Sequence, residues 1–236
     1  DLAADTEFDV SVASSDAANN TVTTSATSTH TVDTTAPTAV LSAATDNVGS
    51  VTGALTSGDT TDDTSLVLSG TNVASSTVEI FNGSTSLGNA TISGTTWSYT
   101  ATVADGTTYT FNAKETDAAG NTSAATSDFS VTGDTTAPTA VLSAATDNVG
   151  SVTGALTSGD TTDDTSLVLS GTNVASSTVE IFNGSTSLGN ATISGTTWSY
   201  TATVADGTTY TFNAKETDAA GNTSAATSDF SVTGDT

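Results

Sequence analysis

The chain of 236 residues lacks cysteine and contains almost no basic residues. Without cysteine, neither a disulfide nor a thiolate metal site can hold the fold. Lys114 and Lys215 stand against 26 acidic residues, which gives a net charge of −24. Because no basic face exists to meet phosphates, the chain is not a nucleic-acid binder, and an anionic membrane surface is disfavoured. No apolar run is long enough for direct membrane insertion.

Aromatic residues are also few, at 6%, and charged residues make up 12% of the chain. Strong acidity keeps a chain soluble, and together with few aromatic residues it can indicate disorder. Here, however, the apolar residues recur at regular positions. We therefore expect a folded protein whose carboxylates are neutralised by something other than basic side chains.

A tandem repeat accounts for most of the sequence. Residues 33–133 and 134–234 are identical, and residues 235–236 begin the next linker. Residues 1–32 are a diverged copy of the closing third of this unit. Self-similarity at a fixed period is the mark of a repeat array. We expect residues 1–32 to be the C-terminal strands of a preceding, incomplete repeat, followed by two full units that neighbour each other in the array.

Apolar and polar residues alternate within each unit, which is the period of a β-strand. Leu66 and Leu68 alternate in SLVLS, and Trp97, Tyr99 and Ala101 alternate in TWSYTATV. No segment has a convincing 3.6-residue period. Seven segments of the first unit are predicted as strands A, B, C, C′, E, F and G, and they read TAVLSA, SLVLS, TVEIFNG, TSLGNATIS, TWSYTATV, TYTFNAK and SDFSV.

A unit of about 100 residues with seven strands has the size of one immunoglobulin-like sandwich. The predicted fold is therefore all-β, with tandem seven-stranded immunoglobulin-like β-sandwiches joined end to end. Asn82-Gly83 predicts a hairpin turn and Asp105-Gly106 a turn before strand F, which Tyr109 begins as in a tyrosine corner. The aromatic residues expected in the cores are Trp97, Tyr109 and Phe111, and Trp198, Tyr210 and Phe212.

The topology of such a sandwich predicts where the acidic loops meet. The chain leaves at the pole that carries the A–B and E–F loops, which we call the downstream pole. The F–G loop lies at the opposite, upstream pole. The next unit should bring Asp218 and Asn222 of its F–G loop to the junction, with Asp134 in the linker between the two units. The downstream pole of the first unit should collect Asp46, Asp59, Asp62, Asp63 and Asp105.

Clustered carboxylates without basic partners indicate a hard cation. Ca²⁺ takes about six to eight oxygen ligands, which loops rich in Asp, Asn, Gly and Thr supply. A transition metal is disfavoured, because the chain has no Cys and one His. The alternative is that each Asp only caps a turn. The expected metal ligands are Asp33, Asp46, Asp59, Asp62, Asp63, Asp105, Asp117, Asn121, Asp134, Asp147, Asp160, Asp163, Asp164, Asp206, Asp218 and Asn222.

The motifs DTTAP, TDNVG, LSGT, VEIFNGSTSLG, ADGTTYTF and TDAAGNTS together resemble the bacterial immunoglobulin-like extender repeats of giant RTX adhesins and biofilm-associated proteins. The resemblance covers both full units and, more weakly, residues 1–32, where Asn19 replaces the glycine of DAAGN. It implies a secreted protein tethered to the bacterial cell surface, whose repeats project a distal adhesive domain. It also implies calcium within and between repeats, at positions that match Asp33, Asp46, Asp117, Asp134, Asp147 and Asp218. The departure in residues 1–32 weakens the expectation of calcium at the first junction.

Two other functions were weighed on the same residues. An enzyme needs a positioned acid, base or nucleophile, and no basic or aromatic-lined pocket accompanies the carboxylate pairs, so we expect no catalysis. A polysaccharide-binding module would need an exposed aromatic ring such as Trp97, whose alternation with Tyr99 places it in the core instead. His30 is expected to be an ordinary surface or edge residue.

Overall fold

The computed structural model describes residues 7–236, and every regular element among them is a β-strand. No helix in that part of the chain could cross a bilayer. The strands form an N-terminal hairpin and two sandwiches of identical topology. The all-β prediction and the tandem sandwich architecture are thereby confirmed.

The first sandwich contains ten strands in two five-stranded sheets. They are β3 (Val40–Asp46), β4 (Gly53–Ala54), β5 (Thr60–Thr61), β6 (Ser65–Thr71), β7 (Thr77–Asn82), β8 (Thr85–Asn89), β9 (Thr91–Ser93), β10 (Thr96–Thr102), β11 (Thr108–Thr116) and β12 (Phe129–Gly133). One sheet has the order β4-β3-β6-β10-β9 and the other the order β5-β12-β11-β7-β8. Apart from the parallel pairing of β5 with β12, neighbouring strands are antiparallel.

The second sandwich repeats this arrangement. Its strands are β13 (Val141–Asp147), β14 (Gly154–Ala155), β15 (Asp160–Thr162), β16 (Ser166–Thr172), β17 (Thr178–Asn183), β18 (Thr186–Asn190), β19 (Thr192–Ser194), β20 (Thr197–Thr203), β21 (Thr209–Thr217) and β22 (Phe230–Gly234). The sheet orders are β14-β13-β16-β20-β19 and β15-β22-β21-β17-β18.

Six of the seven predicted strands are present as single strands in each unit, and the structure adds short strands that the alternation did not reveal. The segment TSLGNATIS, predicted as one strand, is two: β8 pairs with β7 in one sheet, and β9 pairs with β10 in the other. Ala90 lies between them and donates its N–H to the oxygen of Val78. The two-residue strands β4 and β5 lie in the long A–B connection, where the pattern is too short to recognise.

Inward residues of the two sheets form one core per unit. In the first unit these include Leu66, Leu68, Ile80 and Phe111, all fully buried. They sit at every second position of their strands, because successive side chains of a strand point to opposite faces. At about 25 cal/mol per Å² of apolar area, this burial is the main favourable term in folding.

The predicted core aromatics are confirmed with one correction. Trp97 and Phe111 are buried, and the Trp97 indole donates to the oxygen of Val40 over 3.1 Å. Tyr109, however, is only half-buried, and so is Tyr210. The reason is the tyrosine corner itself, since the Tyr109 hydroxyl must reach the edge of the sandwich to accept the N–H of Ala104 at 3.1 Å.

The N-terminal hairpin pairs β1 (Glu7–Ser15) with β2 (Thr21–Thr29) in a separate two-stranded sheet. At the period of the repeat, β1 corresponds to β11 of the first unit, whereas β2 begins earlier than the counterpart of β12. His30 follows β2, and its ring lies 5.8 Å from that of Phe8. Residues 1–6 of the predicted incomplete repeat lie outside the described residues, and its assignment stays a prediction.

Candidate cation site at the junction between the units

The linker residue Asp134 is bound to both sandwiches through its backbone. Its N–H donates to the oxygen of Thr61 over 2.9 Å, in the first unit. Its carbonyl oxygen accepts the side-chain amide of Asn222 at 2.8 Å, in the second unit. Its carboxylate accepts the N–H of Thr136 at 3.1 Å. Asp134 therefore lies between both partners, where the linker sequence placed it, although backbone atoms make the bridge.

Asp105 holds the linker from the E–F turn. Its carboxylate accepts the N–H of Thr135 at 2.7 Å and the hydroxyl of Thr136 at 3.3 Å. The hydrogen bond from the Thr135 N–H lowers the pKa of Asp105 below its usual value, because that bond favours the charged form. In the second unit, Asp206 accepts the N–H of Thr236 at 3.0 Å in the same way.

The A–B loop of the first unit contacts the F–G loop of the second directly. The Ser50 hydroxyl lies 2.7 Å from the oxygen of Gly221, to which it donates, and 3.2 Å from the Thr223 hydroxyl. A methyl group on Gly221 would lie 3.0 Å from the nitrogen of Val51, so the backbones approach closely here. The two sets of loops face each other across the junction, as the topology predicts.

At this junction, Asp62 has one carboxylate oxygen without a hydrogen-bond partner. It is half-buried, and its Oδ1 has no hydrogen bond among the described residues. Burial raises its pKa, with added repulsion from the charges of Asp46, Asp218 and Asp63. Gly49, at φ 68°, permits this placement, because a methyl group there would lie 2.0 Å from Asp62 Oδ2.

Two neighbouring carboxylates are buried and hydrogen-bonded. Asp46 Oδ2 accepts the Thr61 hydroxyl at 2.6 Å, and Asp46 Oδ1 accepts the N–H of Val48 at 2.9 Å. Asp63 Oδ1 accepts the N–H of Ser65 at 2.8 Å. These bonds fix the loops of the downstream pole around Asp62. The second unit has the same bonds at Asp147 and Asp164.

Other expected ligands cap turns. Asp59 accepts the N–H and hydroxyl of Thr56 at 2.7 and 2.9 Å. Asp160 does the same with Thr157, and the Thr157 N–H lowers the pKa of Asp160. For these residues the capping alternative describes what the carboxylate does, since Asp commonly closes turns in this way.

The F–G loops are closed by their own aspartates. Asp117 Oδ1 accepts the N–H groups of Ala119 and Asn121, and its Oδ2 accepts the Asn121 amide at 2.9 Å. The Asn121 amide lowers the pKa of Asp117. Asn121 also donates to the oxygen of Asp33 at 3.0 Å, so the linker before the first unit is held like the linker at Asp134.

The second F–G loop has the same closure, with Asp218 bound to Asn222 at 3.0 Å. The diverged hairpin keeps it too, because Asp16 accepts from Ala18 and Asn20, and Asn19 adopts φ 62° in place of glycine.

Asp163, the counterpart of Asp62, is exposed at the downstream pole of the second unit. Among residues 7–236, no three His, Cys, Asp or Glu side chains lie close enough together to form a ready metal site. The candidate metal-ligand atoms at the junction are nonetheless oxygens, and one of them, Asp62 Oδ1, is buried without a hydrogen-bond partner. That donor set fits a hard cation completed by amide, backbone or water oxygens.

The sequence reasoning missed Glu115 and Ser50. Glu115 is fully buried in β11, although the alternation of Tyr109, Phe111 and Ala113 already placed it on the inward face. Ser50 lies in a loop where no pattern marks it, and only the neighbouring unit gives it a partner.

The two tryptophans, which were the candidates for sugar stacking, are both buried. Trp97 and Trp198 are each 2% exposed, which confirms their place in the core. Among residues 7–236, Phe8 in the hairpin is the one exposed aromatic ring.

Three solved structures that match this chain share little sequence with it. The fibronectin(III)-like modules of Clostridium thermocellum CbhA match with a TM-score of 0.49 at 14% identity, over 76% of this chain and 90% of that one. A cytokine receptor complex matches with a TM-score of 0.27 at 14% identity, over 72% and 92%. SGBP-B of the Bacteroides ovatus mixed-linkage glucan utilization locus, in complex with a mixed-linkage heptasaccharide, matches with a TM-score of 0.25 at 14% identity, over 97% and 53%.

No curated protein matches the chain. A family model for the bacterial Ig-like domain matches residues 37–135 and 137–236, which are the two sandwiches with part of each linker. The chain therefore belongs to the bacterial Ig-like domain family, as a tandem pair of its domains.

Proposed function

We propose that the chain is a spacer segment of a secreted bacterial adhesin of the RTX or biofilm-associated kind, tethered to the cell surface. Its units extend the protein and carry a distal adhesive domain away from the cell, and calcium stiffens the junctions between them. No catalytic role is part of the proposal. The observation that carries it is the direct contact between the two units, with the unpartnered Asp62 Oδ1 beside it.

The junction supports a spacer role because the second unit is held at three places. The linker is bound by Asp105, its backbone at Asp134 contacts both units, and Ser50 contacts the second F–G loop. A linker with few such bonds would leave relative domain motion as the default expectation. Identical units joined in this way extend reach without requiring a new binding site in each copy.

The charges at the junction support a role for calcium. Asp62 and Asp218 are brought together by the docking of the two units, and the charge of Asp218 adds to the causes that raise the pKa of Asp62. Neither Lys114 nor Lys215 is among the groups that shift the pKa of Asp62. When bound, Ca²⁺ would supply positive charge that converts this repulsion into shared ligation.

The residues that would hold the ion come from both units. Asp62 would offer its free Oδ1, and Asp46, Asp63 and Asp218 lie close enough to influence its charge. Asp134 would contribute its second carboxylate oxygen. The capped residues, such as Asp59, position the loops instead. Extracellular calcium modules have Kd values of about 10⁻⁴–10⁻³ M, so the junction would stiffen after secretion.

Small-angle scattering of the full chain, with calcium and with chelator, tests the proposal. We expect the maximum dimension to be larger, and the shape more rod-like, in calcium. Asp62→Asn should abolish most of this response, because it removes the charge of the Asp62 carboxylate and leaves a group of the same size. The melting temperature should follow the scattering, because an ion that binds the folded state stabilises it by mass action.

Asp163→Asn is the matched control, since the same substitution at the exposed pole touches no junction. Asp134→Ala tests the linker carboxylate separately. If chelator leaves the maximum dimension and the melting temperature of the unsubstituted chain unchanged, the carboxylates are solvated turn residues and calcium has no part in the spacer. If Asp163→Asn abolishes the response as fully as Asp62→Asn, the ion is not at the junction.

A further inference from the structure

Glu115 is an acidic side chain sealed inside the first sandwich. It is 0% exposed, at the end of β11 beside the loop between β6 and β7. Its Oε1 accepts the N–H of Val73 at 2.5 Å and lies 2.6 Å from the Ser76 hydroxyl. Its Oε2 is buried and has no hydrogen-bond partner among residues 7–236. Glu115 Oε1 thus holds the loop, whereas Oε2 has no assigned partner.

A second orphan acceptor lies at the same loop. Asn72 donates its amide nitrogen to the oxygen of Val73 at 2.7 Å and contacts Ser76 Oγ at 3.3 Å. This orientation is fixed, because rotating the amide would set its oxygen against the Val73 carbonyl oxygen. Asn72 Oδ1 is therefore left buried without a donor. Ser76 Oγ lies between the two side chains, since it contacts both Asn72 Nδ2 and Glu115 Oε1, and it also lies 2.7 Å from the oxygen of Val73.

The arrangement recurs in the second unit. Glu216 is 0% exposed and accepts the N–H of Val174 at 2.6 Å, and Asn173 contacts Ser177 Oγ at 3.2 Å. Glu216 Oε2 and Asn173 Oδ1 are again buried without partners. The pair belongs to the unit and not to the junction, because it is present in both sandwiches whatever lies at their poles.

No basic side chain neutralises Glu115. Lys114 is its neighbour in β11 and so points to the opposite face of the sheet, where its ammonium lies over the Phe81 ring at 5.2 Å from the centroid. Burying an unpaired carboxylate costs several kcal/mol, and an amide oxygen without a donor adds to that cost. A bound cation would satisfy two unpartnered acceptor oxygens at one loop, because it neutralises the carboxylate and accepts lone pairs from both.

The net charge of the two ligating side chains indicates the charge that the bound cation should carry. One carboxylate and one neutral amide carry a single negative charge. A monovalent cation would neutralise it, whereas a divalent cation would leave a net positive charge in the apolar interior. We propose that each unit binds a small monovalent cation of the size of Na⁺, ligated by Glu115 Oε2 and Asn72 Oδ1, and by Glu216 Oε2 and Asn173 Oδ1. The proposal is independent of calcium at the junction.

The test compares the full chain in NaCl and in choline chloride, both at about 0.15 M so that screening is equal, with chelator throughout. We expect the melting temperature to be higher in NaCl by about 4 °C or more, because the ion binds the folded state. The double variant Glu115→Gln with Glu216→Gln should lose this difference. It should still fold, since each glutamine amide supplies an N–H in place of the ion.

The control is Glu79→Gln with Glu180→Gln, which removes the same charges from the sheet surface, where each carboxylate accepts a serine hydroxyl. This control should keep the sodium response. Sodium NMR line broadening by the unsubstituted chain, lost on unfolding, gives a reading that does not depend on any variant. A sodium response equal in both double variants, or absent with no broadening, overturns the proposal. Stabilisation by calcium that the Glu115 and Glu216 double variant alone lacks overturns the monovalent assignment.

Discussion

The downstream poles of the two units have the same sequence and different surroundings. In the first unit, Asp62 is half-buried beside the F–G loop of its neighbour, whereas Asp163 in the second unit is exposed. Val51 is 47% exposed, and its counterpart Val152 is 82% exposed. The residues are identical, so the difference comes entirely from the neighbouring unit. A repeat in this chain therefore has properties that belong to its contacts and not to its own fold.

The upstream poles show the same contrast. Ala220 is 1% exposed and Gly221 is buried, because both lie against the first unit. Ala119 and Gly120, at the same places in the first unit, are exposed. Substitutions at such matched positions separate what stabilises a unit from what stabilises the junction.

The largest effects should be the same in both units, because they concern the cores. Trp97→Ala should lower the free energy of unfolding of its unit by about 3–5 kcal/mol through the cavity it creates. Trp198→Ala should do the same in the second unit. Denaturant unfolding followed by circular dichroism measures the loss of stability. The fluorescence of the remaining tryptophan reports the unfolding of the intact unit. Losses that differ by more than about 1 kcal/mol would mean that the junction reaches the core.

Glycine substitutions in the F–G loops should differ between the units. Gly120→Ala places a side chain at φ 90° with nothing nearby, at a cost of about 1–2 kcal/mol. Gly221→Ala carries a comparable strain at φ 103° and also presses against Val51 and Asp62. We expect Gly221→Ala alone to loosen the junction, seen as a broader distance distribution in scattering. Equal scattering from the two variants would contradict close docking of the loops.

Ser50→Ala should weaken the junction by about 0.5–1.5 kcal/mol, because it removes the hydrogen bond to the oxygen of Gly221. Ser151→Ala, in the exposed loop of the second unit, should leave stability unchanged. Hydrogen exchange of the Asp218–Asn222 loop measures the effect, which should be faster exchange in Ser50→Ala only. The same exchange rates in both variants would show that the contact contributes nothing.

The smallest effect concerns the pH dependence at Asp62. Its pKa is raised in the folded chain, so the folded state binds a proton more tightly than the unfolded state. Stability should therefore rise as the pH falls from the raised folded pKa toward about 3.9, the unfolded value. Solvent screening limits the gain to less than about 1 kcal/mol. Asp62→Asn should remove this component from melting curves taken across that range in chelator, and Asp163→Asn should retain it.

Period-two alternation was sufficient to predict strands A, B, C, E, F and G and the buried Trp97 and Phe111, because a strand must turn every second side chain inward. The hairpin turn at Gly83 followed from local backbone preference, and it forms there with φ 59°. The same alternation placed Glu115 on the inward face of its strand. It did not predict the role of Glu115, because a pattern of apolar residues does not say what an acidic residue contacts in the core.

The candidate site was less predictable. The sequence places Asp59, Asp62 and Asp63 within five residues, and it cannot tell them apart. In the structure, Asp59 caps a turn, Asp63 is buried and bonded to Ser65, and Asp62 Oδ1 is left without a partner. Asp59 and Asp63 find their hydrogen-bond donors within three residues of themselves. The surroundings of Asp62 are instead set by Gly49 and by Gly221 of the neighbouring unit, which only the tertiary structure brings close.

By itself, the sequence determined the repeat, the strands, the cores and the excess of negative charge, because these follow from composition and from periodicity along the chain. The tertiary structure decided which of two identical poles is covered and that the backbone of Asp134 makes the bridge between units. It also decided that Glu115 is sealed in with one free oxygen. These outcomes depend on groups far apart in sequence, and burial and hydrogen bonding are settled only when those groups meet.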